Sequence, residues 1–245
     1  RREGPLLEGD ERHVFSKEYK NDYGYIPEQA QLSRQTNPKW ALKSDQHENI
    51  SHEALTRLNH FYLMTKSSEH FNSTFKEHSP NLLNSNLLVN NNPALALKLD
   101  IYNAIILSAN GDHALAPRNK KFYWDSINNY FEPIYYDGDL NIDGNYSEKW
   151  LSKLGFKLQN ISNKANFLLA IQEAKKQITE VSDKDFYEKV KLRGVRLSKN
   201  QIKEKIDKIL TNLDQVKNHV NVKNEINTEK VVKTNNILNN YINYT

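Results

Sequence analysis

Asp112, Asn119 and Asp137 are the residues whose types and spacing suit a definite chemistry, the transfer of a phosphoryl group to a hydroxyl. That reaction needs a carboxylate to accept or orient the hydroxyl proton. It also needs an amide oxygen and a second carboxylate to hold a metal on the phosphates. Mg²⁺ takes hard oxygen ligands and keeps several waters, so one Asn and one Asp suffice from the protein. All three residues fall within 110–144, NGDHALAPRNKKFYWDSINNYFEPIYYDGDLNIDG, where Gly111-Asp112 stands near the start and Asp137-Gly138 near the end. The plain alternative is that Asp, Asn, Gly and Pro fill turns for backbone reasons alone.

The elements around this stretch must bring its two ends together. Pro93 stands at a favourable first helical position, and 94–109, ALALKLDIYNAIILSA, is apolar on nearly every face, which predicts a buried helix ending at Asn110-Gly111. Lys121–Asp125 and Tyr130–Tyr136 are aromatic, β-prone runs separated by Ser126-Ile127-Asn128-Asn129, which predicts a hairpin. Its first strand leaves Asn119 and its second returns to Asp137, so both can reach one point. Upstream, Ala54, Leu55, Leu58, Phe61, Tyr62 and Thr65 follow helical spacing and predict a helix over 51–66. Downstream, Ala165, Leu168, Leu169, Gln172, Ile178 and Val181 outline a helix. Ser182 with Asp185, and Ser198 with Gln201, open two more as capping boxes. In the last helix Ile202, Ile206, Ile209, Leu213, Val216 and Val220 form a packing seam.

The chain has 245 residues, of which 38% are hydrophobic, with 13 Tyr, 9 Phe and 3 Trp supplying core surface. A net charge of +4 from 34 basic and 30 acidic residues is a mild excess, and no nucleic-acid partner is expected from it. Absence of Cys excludes a disulfide framework, a thiolate metal site and a cysteine nucleophile. No apolar run is long enough for a membrane span. His52 and His60 share a helix face without a carboxylate or third ligand beside them, so no zinc site is expected. The basic run Lys189–Arg196 reads as a solvated helix end or a site for an anionic partner.

The 110–144 stretch resembles the catalytic half of a protein-kinase-like fold, and more narrowly the atypical kinases of the spore-coat CotH family. GDHALAPRN is similar to their catalytic loop, and YYDGD to their metal-binding aspartate segment. The resemblance implies an ATP- and Mg²⁺-dependent phosphotransferase with a protein or saccharide acceptor. In it Asp112 is the catalytic base, Asn119 and Asp137 ligate Mg²⁺, and Asp139 is a second metal carboxylate or a structural one. The Asp-to-Asn step is seven positions here, against five in ordinary protein kinases. His113 and Arg118 are placed to orient substrate or phosphate. Trp40-Ala41-Leu42-Lys43 superficially resembles a kinase lysine strand, with Glu53 in the next helix, yet no Gly-rich phosphate loop precedes it. The expected nucleotide-covering lobe is therefore assigned upstream of Arg1.

The resulting expectation is an α+β, mostly helical fold. Residues 1–45 are a linker or lobe remnant with one short strand at most, and 46–145 a kinase-like catalytic lobe with a hairpin beside its catalytic loop. Residues 146–220 are a helical extension and 221–245 a polar tail. A competing reading is a non-catalytic Ca²⁺- or Mg²⁺-binding scaffold or coat domain. Asp139, Asn141, Asp143 and Gly144 match the opening of a calcium loop, although Trp150 stands where its glutamate belongs and Glu148 lies two positions early.

Overall fold

The computed structural model describes residues 3–9, 32–71, 88–115, 119–144, 146 and 164–242. Its elements are β1 (Leu6–Gly9), β2 (Ser33–Gln35), α1 (Pro38–Ala41), α2 (Asp45–Phe71) and α3 (Pro93–Ser108). A 3-10 turn (Asp112–Leu115), β3 (Lys121–Asp125), β4 (Tyr130–Ile134), α4 (Lys164–Glu180), α5 (Asp183–Leu192) and α6 (Lys199–Ile242) follow. Helices and an antiparallel sheet thus share one chain, as expected for an α+β protein.

The hairpin does not stand alone. It is half of a four-stranded sheet in the order β2-β1-β3-β4, antiparallel throughout. The segment 1–45, read as a linker with at most one strand, supplies two. β1 carries a single apolar pair between Pro5 and Gly9, so it has little strand signal of its own. It is extended because both of its edges are paired. Leu7 lies opposite Gln35 on one side and Phe122 on the other, and is buried. Glu8 is also buried, and its charge is met by both cross-strand neighbours: Arg34 of β2, and Lys121 of β3 at 2.7 Å. A carboxylate is tolerated in a central strand only with such pairing.

α3 is the spine of the molecule. Asn92 caps it by accepting hydrogen bonds from the Ala94 and Leu95 N–H groups, with Pro93 in the first turn. Ala96 and Leu99, near its N-terminal end, join Leu58, Tyr62, Phe122, Trp124 and Phe131 in an aromatic core between the sheet and α2. Ala104 and Leu107, near its other end, join Phe167, Ile171, Leu213 and Val216 in a helical core with α4 and α6. The seam read in 202–220 therefore packs on this chain's own helices. Asn212 of α6 donates to the Ser108 carbonyl at 2.7 Å, and Lys175 of α4 pairs with Asp214 at 2.6 Å. Residues 164–220 are thereby bound to the core of α3.

A simple N-cap and a capping box open the last two helices. Ser182 accepts from the Asp185 N–H, while Ser198 and Gln201 bond reciprocally. α6 continues to Ile242, through a segment read as a polar tail. No Pro or Gly interrupts 199–242, so nothing in the backbone chemistry ends the helix earlier. Likewise α2 runs beyond 51–66 at both ends. Among the described residues no helix is long and apolar enough to cross a membrane.

Candidate functional site

The site is built where α3 ends. The chain leaves the helix in a Schellman arrangement: Asn110 N–H donates to the Leu107 carbonyl and Gly111 N–H to Ile106, each at 2.9 Å. The left-handed residue is Asn110, with φ +55°, whereas Gly111 serves a close approach. A Cβ at Gly111 would lie 2.3 Å from a Leu140 methyl. The turn directs Asp112 and His113 toward the end of the hairpin.

His113 joins the predicted residues. Asn119 is 2% exposed, and its Nδ2 donates to the His113 carbonyl at 2.9 Å. On the other side, His113 Nε2 lies 3.5 Å from Asp137 Oδ2. Asp112 is the next residue in the chain. Asp137 and Asp139 are exposed and both left-handed, at φ +42° and +43°, a conformation that Asp tolerates better than most residues. Gly138 between them is buried against Tyr135, whose ring a Cβ at 138 would meet at 2.5 Å. The alternation therefore holds two carboxylates outward on a packed glycine.

Several supporting groups escaped the sequence reading. Tyr146 donates to the Leu107 carbonyl at 2.7 Å. Burial, reinforced by the nearby Asp112 charge, raises its hydroxyl above the ordinary tyrosine range. Tyr102 is raised to about 12 by burial and by Tyr135. Lys120, directly after Asn119, is buried, and desolvation pulls its ammonium down to about 8 against the opposing influence of Asp100. The sequence signals Asp100 alone, as the acid that interrupts an apolar helix bound to be buried.

The 139–144 loop is tied to protein donors. Asn110 Nδ2 donates to the carbonyls of Asn141 and Gly144, at 2.9 and 3.0 Å, and the Asn141 N–H donates to Ala109. Asp143 pairs with Lys205 of α6. An amide and an ammonium thus engage oxygens of the segment that resembled a calcium loop. Trp150, Glu148 and Arg118 lie outside the described residues.

Lys43 and Glu53, the counterparts of a kinase lysine and glutamate in the resemblance, do not meet each other. Lys43 pairs with Glu3 at 2.6 Å, and Glu53 with Arg57 at 2.8 Å. Tyr135 and Tyr136 are exposed beyond β4, while Phe131 of the same aromatic run is core. Among the described residues, no three His, Asp or Glu side chains gather into a metal-binding group. Asn119 and Asp137 each carry a hard oxygen of the kind Mg²⁺ takes, Asn119 from a buried position and Asp137 from an exposed one. No family model, curated protein or solved structure matches the chain.

Proposed function

We propose that the chain carries the phosphate-transferring half of an ATP- and Mg²⁺-dependent phosphotransferase of the CotH-like kinase type, acting on a protein or saccharide hydroxyl. The observation that supports this reading is the convergence on His113. Its carbonyl holds Asn119, its ring faces Asp137, and its chain neighbour is Asp112. Residues separated by the whole hairpin thus meet at one end of it.

In this reading Asp112 accepts the acceptor's hydroxyl proton as that oxygen bonds to the γ-phosphorus and the bond to the leaving diphosphate breaks. Asn119 and Asp137, with Asp139 beside them, would hold Mg²⁺, which supplies neutralising charge on the phosphates. His113 restrains both holders, through its carbonyl and its ring. The calcium-scaffold reading gains no comparable support, since Lys205 already meets the Asp143 charge.

Thermal melts with Mg²⁺, Ca²⁺, ATP, and Mg²⁺ with ATP test the proposal. A ligand at one hundred times its Kd stabilises by about 2.7 kcal/mol. The expected shift needs Mg²⁺ and ATP together, and Asp137→Asn abolishes it while leaving the ligand-free melt unchanged. An Asp137→Asn protein that keeps the full shift would remove the metal role assigned here. A shift with Ca²⁺ alone would transfer the site to the scaffold reading.

A further inference from the structure

The turn between α5 and α6 lies apart from this site and has its own chemistry. From Lys189 to Lys203 the sequence places Lys189, Lys191, Arg193, Arg196, Lys199 and Lys203 without one intervening acid. All six are exposed. At the apex Leu192 is 87% exposed and Val195 41% exposed, two aliphatic side chains close in sequence among the basic residues. Gly194 between them has φ +81°, and a Cβ there would meet no atom within 4 Å. The apex therefore projects freely.

The turn is also firmly mounted. Arg193 caps α5 by donating its N–H to the Val190 carbonyl, and the Gly194 N–H donates to Lys191. The Ser198–Gln201 box fixes the start of α6, and Ile202 is buried one turn later. Tyr187 lies beneath the Lys199 ammonium, 5.3 Å from it to the ring centroid. A rigid apex that offers two aliphatic side chains within a ring of cations matches one kind of surface in particular. Anionic lipid headgroups meet the charges while the acyl boundary receives the aliphatic tip, and the long basic side chains reach back to the headgroups. A nucleic acid or an acidic peptide would satisfy the cations but has no need of Leu192.

We infer that the α5–α6 turn is a peripheral docking site for anionic membrane surfaces, with Leu192 and Val195 entering the interface and the flanking Lys and Arg binding headgroups. The inference does not depend on the phosphotransfer reading. Each basic residue near an anionic bilayer contributes about 1 kcal/mol.

Flotation of the full chain with vesicles of phosphatidylglycerol and phosphatidylcholine, compared with phosphatidylcholine alone, is the test. Binding is expected only to the anionic vesicles and should fall at high salt. Lys191→Gln with Arg193→Gln should weaken it roughly thirtyfold. Leu192→Ser with Val195→Ser should weaken it at least several-fold without changing the melting temperature, since neither side chain is buried. Failure to bind anionic vesicles would overturn the proposal. So would vesicle binding indifferent to Leu192→Ser and Val195→Ser and matched by binding to heparin or DNA, which would mark a general polyanion patch.

Discussion

The two ends of the β3–β4 hairpin are made by opposite means. At the turn, Asp125 Oδ1 accepts from the N–H groups of Ile127 and Asn128, both at 3.1 Å, and Oδ2 from the Asn128 side chain at 2.9 Å. Asn129 takes φ +54° and Ile127 is 90% exposed. Every one of those hydrogen bonds is local. At the open end, Asn110 reaches across 31 and 34 positions, Tyr146 across 39, and Lys205 across 62. The turn is shaped by its own residues, the open end by the rest of the molecule. Chemistry that needs fixed geometry belongs at the second, because only long-range restraints hold side chains from different elements in register.

The contrast can be broken by experiment, beginning with Lys120. Burial lowers its ammonium to about 8, so between that value and the ordinary lysine range near 10.4 the unfolded chain holds a proton that the folded chain lacks. Stability should then rise with pH above 8, by up to about 3 kcal/mol. Near pH 10 the trend reverses, because tyrosines ionise in the unfolded chain before the raised Tyr62, Tyr102 and Tyr146 do. Urea titrations from pH 7 to 11 should trace this dome, and Lys120→Met should erase its rising limb. A flat profile in the parent protein would mean that the open end is wetter than described.

Asn110→Ala should cost about 2 kcal/mol, from two lost hydrogen bonds and a left-handed backbone that Ala adopts poorly. Asn110→Gly keeps the backbone conformation and should cost about 1 kcal/mol. Equal losses in chemical denaturation would show that the side-chain bonds alone matter. The smallest effect belongs to the exposed turn: Asp125→Ala should cost about 0.5–1 kcal/mol, read from the same titrations. A larger loss there than at Asn110 would invert the comparison.

The same division explains what was legible in the sequence. Pro93, the Ser182 cap, the Ser198–Gln201 box and the Ser126–Asn129 turn are local signals, and each is found at its expected place. The α6 seam was equally readable because its period is set by one helix. β1 and β2 were not, since Leu6–Gly9 and Ser33–Gln35 are too short and polar to show alternation and are extended by their neighbours. Asn110-Gly111 marked the helix end, but the left-handed position fell to Asn because Gly111 was needed against Leu140 and Ile106. At the candidate site, residue types and order could be read. The meeting of His113 with Asp137, and the burial of Lys120 near Asp100, depend on α3 and the hairpin closing on each other.

One helix serving two cores also governs how the protein comes apart. The aromatic core loses Ala96 and Leu99 if α3 unwinds, and the helical core loses Ala104 and Leu107 in the same event. Neither half can melt while the other keeps its packing, so damage on the sheet side is felt in the helical bundle as lost cooperativity. The amide protons of α3 should accordingly exchange with solvent only when the whole molecule opens, with the residues at its C-terminal end sharing that protection.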